Sequence, residues 1–172
     1  MAIEFKKVSE FPRGTIFDLL TDAYSYDDRN GACWSWQWRE FDDFFYDNLE
    51  IADQCGFITT LDGEPIGMAS WDPRNRPEYV EVGHNCILCK YKGRGYGKMQ
   101  LQEAVNRILQ YDIKKIIVNT NATFVPAMHN YQSVGFKECQ RRKNDGVAAY
   151  TGDYVDYEYI KSVPCKVDSA TW

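Results

Sequence analysis

Lys92, Gly93, Arg94, Gly95, Tyr96, Gly97 and Lys98 put three glycines and three cations into seven consecutive residues. Glycine lets a backbone come close to a ligand, and the free N–H groups at the start of a helix attract anions. A phosphate-bearing ligand suits such a loop, although a tight strand-to-helix turn needs glycines on steric grounds alone. Two familiar phosphate folds do not fit. A P-loop has Ser or Thr after its lysine, and here Met99 follows Lys98. A dinucleotide fold wants Gly-x-Gly-x-x-Gly after the first strand and an acid about 20 residues on. Here the loop lies mid-chain and its glycines have the wrong spacing.

Other reactive residues are sparse. The six cysteines, Cys33, Cys55, Cys86, Cys89, Cys139 and Cys165, have no framework spacing, so free thiols are expected. Cys86-x-x-Cys89 with His84 nearby resembles half a zinc site, but no second Cys-x-x-Cys or His pair completes four ligands. No metal is expected. The two histidines, His84 and His129, sit in no nucleophile motif such as Gly-x-Ser-x-Gly. Cys86 reads better as a small buried residue than as a nucleophile.

The elements around the loop follow from periodicity. Residues 2–8 alternate as a strand, and helical spacing covers about 13–25 and 36–50, with the aromatic run Trp34 to Trp38 between them. Asp62-Gly63 joins two strand-like runs and predicts a hairpin. A strand over about 79–88 leads into the glycine loop, which opens a helix to about Gln110. There Leu101, Ala104, Val105, Ile108 and Leu109 mark one apolar face. A β-branched strand follows at 113–119, a helix at 124–134 closed by Gly135, and strands near 136–142 and 153–161. Strand, loop, helix and strand in that order require a crossover with parallel pairing, while the hairpin is antiparallel. An α/β (α+β) domain with a mixed sheet is expected.

Lys92-Gly93-Arg94-Gly95-Tyr96-Gly97 is similar to the Arg/Gln-x-x-Gly-x-Gly/Ala signature of the GNAT superfamily of N-acetyltransferases. Ala127-x-x-x-Tyr131-x-x-x-Gly135-Phe136 resembles the family's later helix. Element order agrees along the whole chain, although only residues about 79–136 carry motifs. The resemblance implies a twisted central sheet of six to seven strands with helices on both faces. In it the strands at 79–88 and 113–119 splay apart to admit the pantetheine of acetyl-CoA. It further implies that the backbone of Asn85, Cys86 and Ile87 pairs with pantetheine amides, and that N–H groups from Gly93 to Lys98 hold the pyrophosphate. By the same analogy Tyr131 protonates the departing thiolate. Glu81, eleven residues before Lys92, takes the amine proton. Two departures stand out: Lys92 replaces the commoner Arg or Gln, and Phe124 stands where many members have Asn. Asn121 fills that role only if the loop is rearranged.

Size and charge bound the rest. A chain of 172 residues fits one domain, residues 1–172. A net charge of −5 argues against nucleic acid or an anionic membrane as partner. The N-terminus lacks the apolar core of a signal peptide, so a cytoplasmic protein is expected. Residues 9–53 hold eleven Asp or Glu against three Arg, whereas 85–115 hold seven Lys or Arg against two acids. The basic part matches a phosphorylated co-substrate. The acidic, aromatic part suits the primary amine of a small molecule or peptide, or is simply a core helix with a solvated face. A homodimer is compatible with the sequence. A non-catalytic acyl-CoA-binding sensor or structural module is the alternative reading.

Overall fold

The computed structural model describes residues 1–146 and 151–162; Cys165 lies outside them. Its strands are β1 (Ile3–Lys6), β2 (Gly56–Leu61), β3 (Glu64–Asp72), β4 (Tyr79–Ile87), β5 (Lys115–Asn121), β6 (Lys137–Arg142) and β7 (Tyr154–Ile160). The helices are α1 (Thr15–Ala23), α2 (Asp28–Asp47), α3 (Leu49–Cys55), α4 (Tyr96–Ile108) and α5 (Val125–Val134). One seven-stranded sheet runs in the order β1-β2-β3-β4-β5-β7-β6. The hairpin forms where expected, with Asp62 and Gly63 both at positive φ (50° and 87°), as a tight two-residue connection requires. Among the described residues only β4 and β5 pair parallel.

The N-terminal helices depart from expectation. The helix expected over 36–50 begins eight residues earlier, at Asp28, and takes in the whole aromatic run. Asp27 explains the start: its carboxylate accepts from the Arg29 N–H at 3.0 Å and from the Arg29 guanidinium. Trp38 is buried and stacks on Tyr24 at 5.5 Å, whereas Trp36 is exposed. The short helix α3 was not anticipated.

The acids of this half have structural work. Asp42 of α2 is fully buried and accepts from the N–H groups of Gly14 (3.0 and 3.2 Å) and Phe17 (3.1 Å) at the start of α1. Asp43 and Asp47 hold Arg13 beside it. Asp53 accepts from Ser9 and Glu10 from the Lys7 N–H. A carboxylate at a helix N-terminus satisfies orphan donors and complements the helix dipole.

Register fixes the two faces of β4. Val82 opposes Trp71 and Asn85 opposes Ala69, so Gly83 and His84 together face Ser70 as a bulge. Ser70 Oγ fills it, accepting from the His84 N–H at 3.0 Å. Directly opposed residues share a face, so Val82 and Asn85 lie on one side with α4. His84 lies on the other, its ring 4.5 Å from that of Phe41 in α2. Helices therefore cover both faces.

Candidate active site

Parallel pairing of β4 with β5 covers Tyr79–Lys115, Val80–Ile116 and Glu81–Ile117 and extends no further. Beyond Glu81 the two strands diverge, and the β5-facing edge of β4 from Val82 to Ile87 has no ladder partner in β5. An unpaired strand edge is a row of N–H and C=O groups ready for an extended ligand.

The glycine loop lies at the end of that edge. Gly93 (φ 74°) and Gly95 (φ 85°) take left-handed backbone, and Gly95 is the residue before α4. No side chain caps α4 and its first turn holds no acid, so its amides are left for an anion. Gly97 lies under α5, where a Cβ would sit 2.9 Å from Asn130 Nδ2 and push that side chain aside. Lys92, Arg94 and Lys98 are exposed. The Lys92 ammonium is tied to the Ala23 carbonyl at the end of α1 and lies 4.7 Å from the Tyr26 ring centroid. Arg94 lies 5.8 Å from the Tyr91 ring centroid. The loop is anchored by Asp22, which accepts from the Cys89 N–H at 2.7 Å and, through its carbonyl, from the Cys89 thiol at 3.0 Å.

Tyr131 projects from α5 into the core, packed against Phe136 (5.8 Å) and Tyr157 (5.6 Å). Burial pushes its pKa up to about 12, with the Asn85 side chain on β4 acting the other way, so it is a phenol at neutral pH. Glu81, on the opposite face of β4 from Val82, accepts from Asn119 Nδ2 at 3.3 Å. Burial, then the charges of Asp72 and Asp156, raise its pKa. The sheet thus carries a carboxylate with raised proton affinity on one face and a protonated phenol on the other.

The remaining expectations sort themselves by contact. Cys86 and Ile87 are buried on the opened strand, and burial raises the Cys86 thiol to about 12, which keeps it a thiol. Asn121 is committed elsewhere: Nδ2 donates to the Gly152 carbonyl at 2.6 Å, and Oδ1 accepts from Thr123 N–H (2.9 Å) and hydroxyl (2.7 Å). Phe124 precedes α5 and meets Tyr24 and Tyr26 at 6.4 Å. At that end of the sheet a cavity of about 150 Å³ is lined by Tyr26, Asp27, Arg29, Asn30, Thr123, Phe124 and Thr151. His84 is neutral, its pKa lowered by burial to about 4. Among the described residues no cluster of His, Cys, Asp or Glu is placed to hold a metal ion, and no helix is long and apolar enough to cross a membrane. Sequence reasoning missed Gln100, Asp22 and Asn130, because a polar residue in a helix reads as solvent-facing until its neighbours are known.

The model of the acetyltransferase (GNAT) family matches residues 14–136. Solved structures agree in fold. The ribosomal-protein-S18-alanine N-acetyltransferase of Escherichia coli superposes with a TM-score of 0.70 at 15% identity, over 96% of this chain and 97% of that one. A GNAT family acetyltransferase of Elizabethkingia anophelis, with acetyl-CoA bound, gives 0.65 at 17%, over 93% and 97%. The NatC complex bound to Gag peptide and CoA gives 0.68 at 17%, over 94% and 100%. No curated protein sequence matches the chain significantly.

Proposed function

The chain belongs to the acetyltransferase (GNAT) family, and from that premise we propose that it is an N-acetyltransferase moving acetyl from acetyl-CoA to a primary amine of a peptide or small molecule by direct attack. The observation that carries this reading is the ladder of β4 and β5, which ends at Glu81–Ile117 beside an uncapped helix start. The residues there fit the co-substrate: Asn85, Cys86 and Ile87 offer backbone groups to an extended pantetheine. Gly93 to Lys98 offer amides and cations to a pyrophosphate. Acetyl-CoA would supply the activated acetyl group as a thioester. The free thiols among the described cysteines suit a reducing, cytoplasmic setting.

In this reading Glu81 takes the proton of the attacking amine and Tyr131 gives one to the leaving thiolate. Their raised proton affinities suit those roles, and they lie on different faces of the sheet. A peptide or small-molecule amine would enter from the side of α1 and α2, where the cavity at Tyr26 and Phe124 lies. Many of the acids there are already held by backbone amides, Ser9 or arginines, which weakens the case for acceptor choice by charge alone.

Calorimetry with acetyl-CoA tests the reading. Wild-type protein should bind, and a Gly95→Asp, Gly97→Asp variant should not, since it puts carboxylates where an anion would sit and a side chain at the positive φ of Gly95. Thiol release with a panel of primary amines then separates an enzyme from a binding module. Absence of wild-type binding would overturn the reading; binding without turnover on any amine would leave a sensor.

A further inference from the structure

Asn30, in the first turn of α2, is only 1% exposed. It lines the cavity of about 150 Å³ together with Tyr26, Asp27, Arg29, Thr123 and Phe124, and is the buried residue among them. A buried side-chain amide needs acceptors for its N–H groups and a donor for its oxygen. Asn30 Nδ2 donates to the Tyr24 carbonyl at 3.1 Å. A carbonyl only accepts, so turning the amide over would set oxygen against oxygen, and Oδ1 is left on the side away from it. That oxygen is buried and has no hydrogen-bond partner. Tyr26 stands close by: burial raises its pKa and the Asn30 side chain acts against that rise, but no hydrogen bond closes on Oδ1.

What the oxygen lacks is an N–H, and its surroundings decide of what kind. Two charged residues line the cavity, Asp27 and Arg29, and they are paired with each other at 2.9 Å through Nε and 2.6 Å through Nη2. Lys92 adds a further cation, its ammonium 4.7 Å from the Tyr26 ring centroid. Among the described residues no lining carboxylate is left over for a free ammonium group, and Lys92 repels one. A neutral donor is favoured. An amide is neutral at every working pH, whereas an amine in water is mostly protonated at pH 7. The walls suit a flat group: Tyr26 and Phe124 meet edge to face with centroids 6.4 Å apart. We propose that this cavity is a subsite for an amide N–H of the acceptor, held by Asn30 Oδ1, so that the protein selects amines that carry a neutral amide, as a peptide N-terminus does, over amines that lack one. Asn30 then touches a part of the acceptor that does not react, and the amine is left for Glu81. An amide gives the orphan oxygen its donor. An ester leaves it unpaired, and a site built to bond an N–H rejects the analogue without it. This inference rests on the reading above, in which the acceptor enters on the side of α1 and α2.

Two probes test it, alanine N-methylamide and alanine methyl ester, which share a primary amine and a shape and differ in the one N–H. Thiol release from acetyl-CoA at low probe concentration gives kcat/KM for each. One ordinary hydrogen bond is worth about tenfold, so the wild type should favour the amide by about that factor. Asn30→Leu should bring the two within about twofold, by slowing the amide more than the ester. A merely structural role would slow both alike and leave the ratio where it was, and that result would overturn the subsite. So would a wild-type ratio near one, or release with neither probe from protein that binds acetyl-CoA; the transferase reading would stand in each case. Failure to bind acetyl-CoA would remove that reading and the subsite with it. If Asn30→Leu does not fold, hydrogen exchange of the wild type with the amide and coenzyme A takes its place. Exchange slowed by the amide over residues 26–30 and 123–124 is expected, and protection elsewhere without these would overturn the subsite.

Discussion

Glu81 and Tyr131 are shifted in the same direction with opposite uses. A base must be ionised to act, so a raised Glu81 pKa restricts activity on the acid side, whereas a phenol raised to about 12 remains protonated throughout the working range. The acid limb of kcat/KM is therefore expected above the ordinary carboxylate range. Part of the cause is the neighbouring charge of Asp72, which Arg74 keeps ionised. Asp72→Asn removes that charge, and the acid limb should move to lower pH; a pH profile in which wild type and variant coincide would argue that Glu81 is not the group observed. His84 gives a stability prediction. Its folded pKa, about 4, lies below the unfolded value near 6.5. The folded state then binds fewer protons between those values, and stability present above pH 6.5 is lost as pH falls toward 4, on the order of 3 kcal/mol in all. Urea unfolding of His84→Gln should show a flatter dependence over that window than wild type. At this scale the glycine loop was legible because its chemistry is local. Gln100 was not, because its meaning depends on Met68, Cys86 and Asn85, which a periodicity argument cannot bring together.

Helix α1 depends on a residue of another element. Its N-cap is Gly14 in left-handed backbone, with no capping side chain of its own, and the missing acceptor is supplied by Asp42 from α2. Removing a buried, hydrogen-bonded carboxylate leaves those amides without a partner, and Asp42→Ala should cost about 3 kcal/mol in chemical unfolding. Asp42→Asn, which keeps one oxygen, should cost less. Equal stability of all three proteins would mean that solvent satisfies the amides as well. The same residue explains why this part of the chain was hard to read. Acids at Asp42, Asp43 and Asp47 look like a solvated stripe in sequence, and helical spacing there covers only about 36–50. The cap at Asp27 and the packing of Trp38 on Tyr24 override that local preference. Hairpin and crossover, by contrast, rest on turn chemistry and strand spacing, and both were legible.

At the scale of the molecule, the sheet is continuous in order but open at one place. β5 is paired along its length with β7, from Lys115–Ile160 to Asn121–Tyr154, while its parallel partner β4 leaves it after three residues. The bulge at Gly83 and His84 redirects β4 just where that contact ends. No pattern of residue types announces such a break; it was expected only through resemblance to a family. This unpaired edge should exchange faster than the paired stretches of β4 and β5, and a ligand lying along it should slow it selectively. Hydrogen exchange with and without acetyl-CoA is expected to show protection concentrated in Val82–Ile87 and in Gly93–Lys98, with β1, β2 and β6 unchanged. Binding to the folded state alone stabilises by about 2.7 kcal/mol at a hundredfold excess over Kd, which for a chain of this size raises Tm by roughly 5–10 °C. The two readings check each other. A rise in Tm with protection spread evenly would indicate binding away from the opening, and protection confined to the loop without β4 would mean that the pyrophosphate end alone is held.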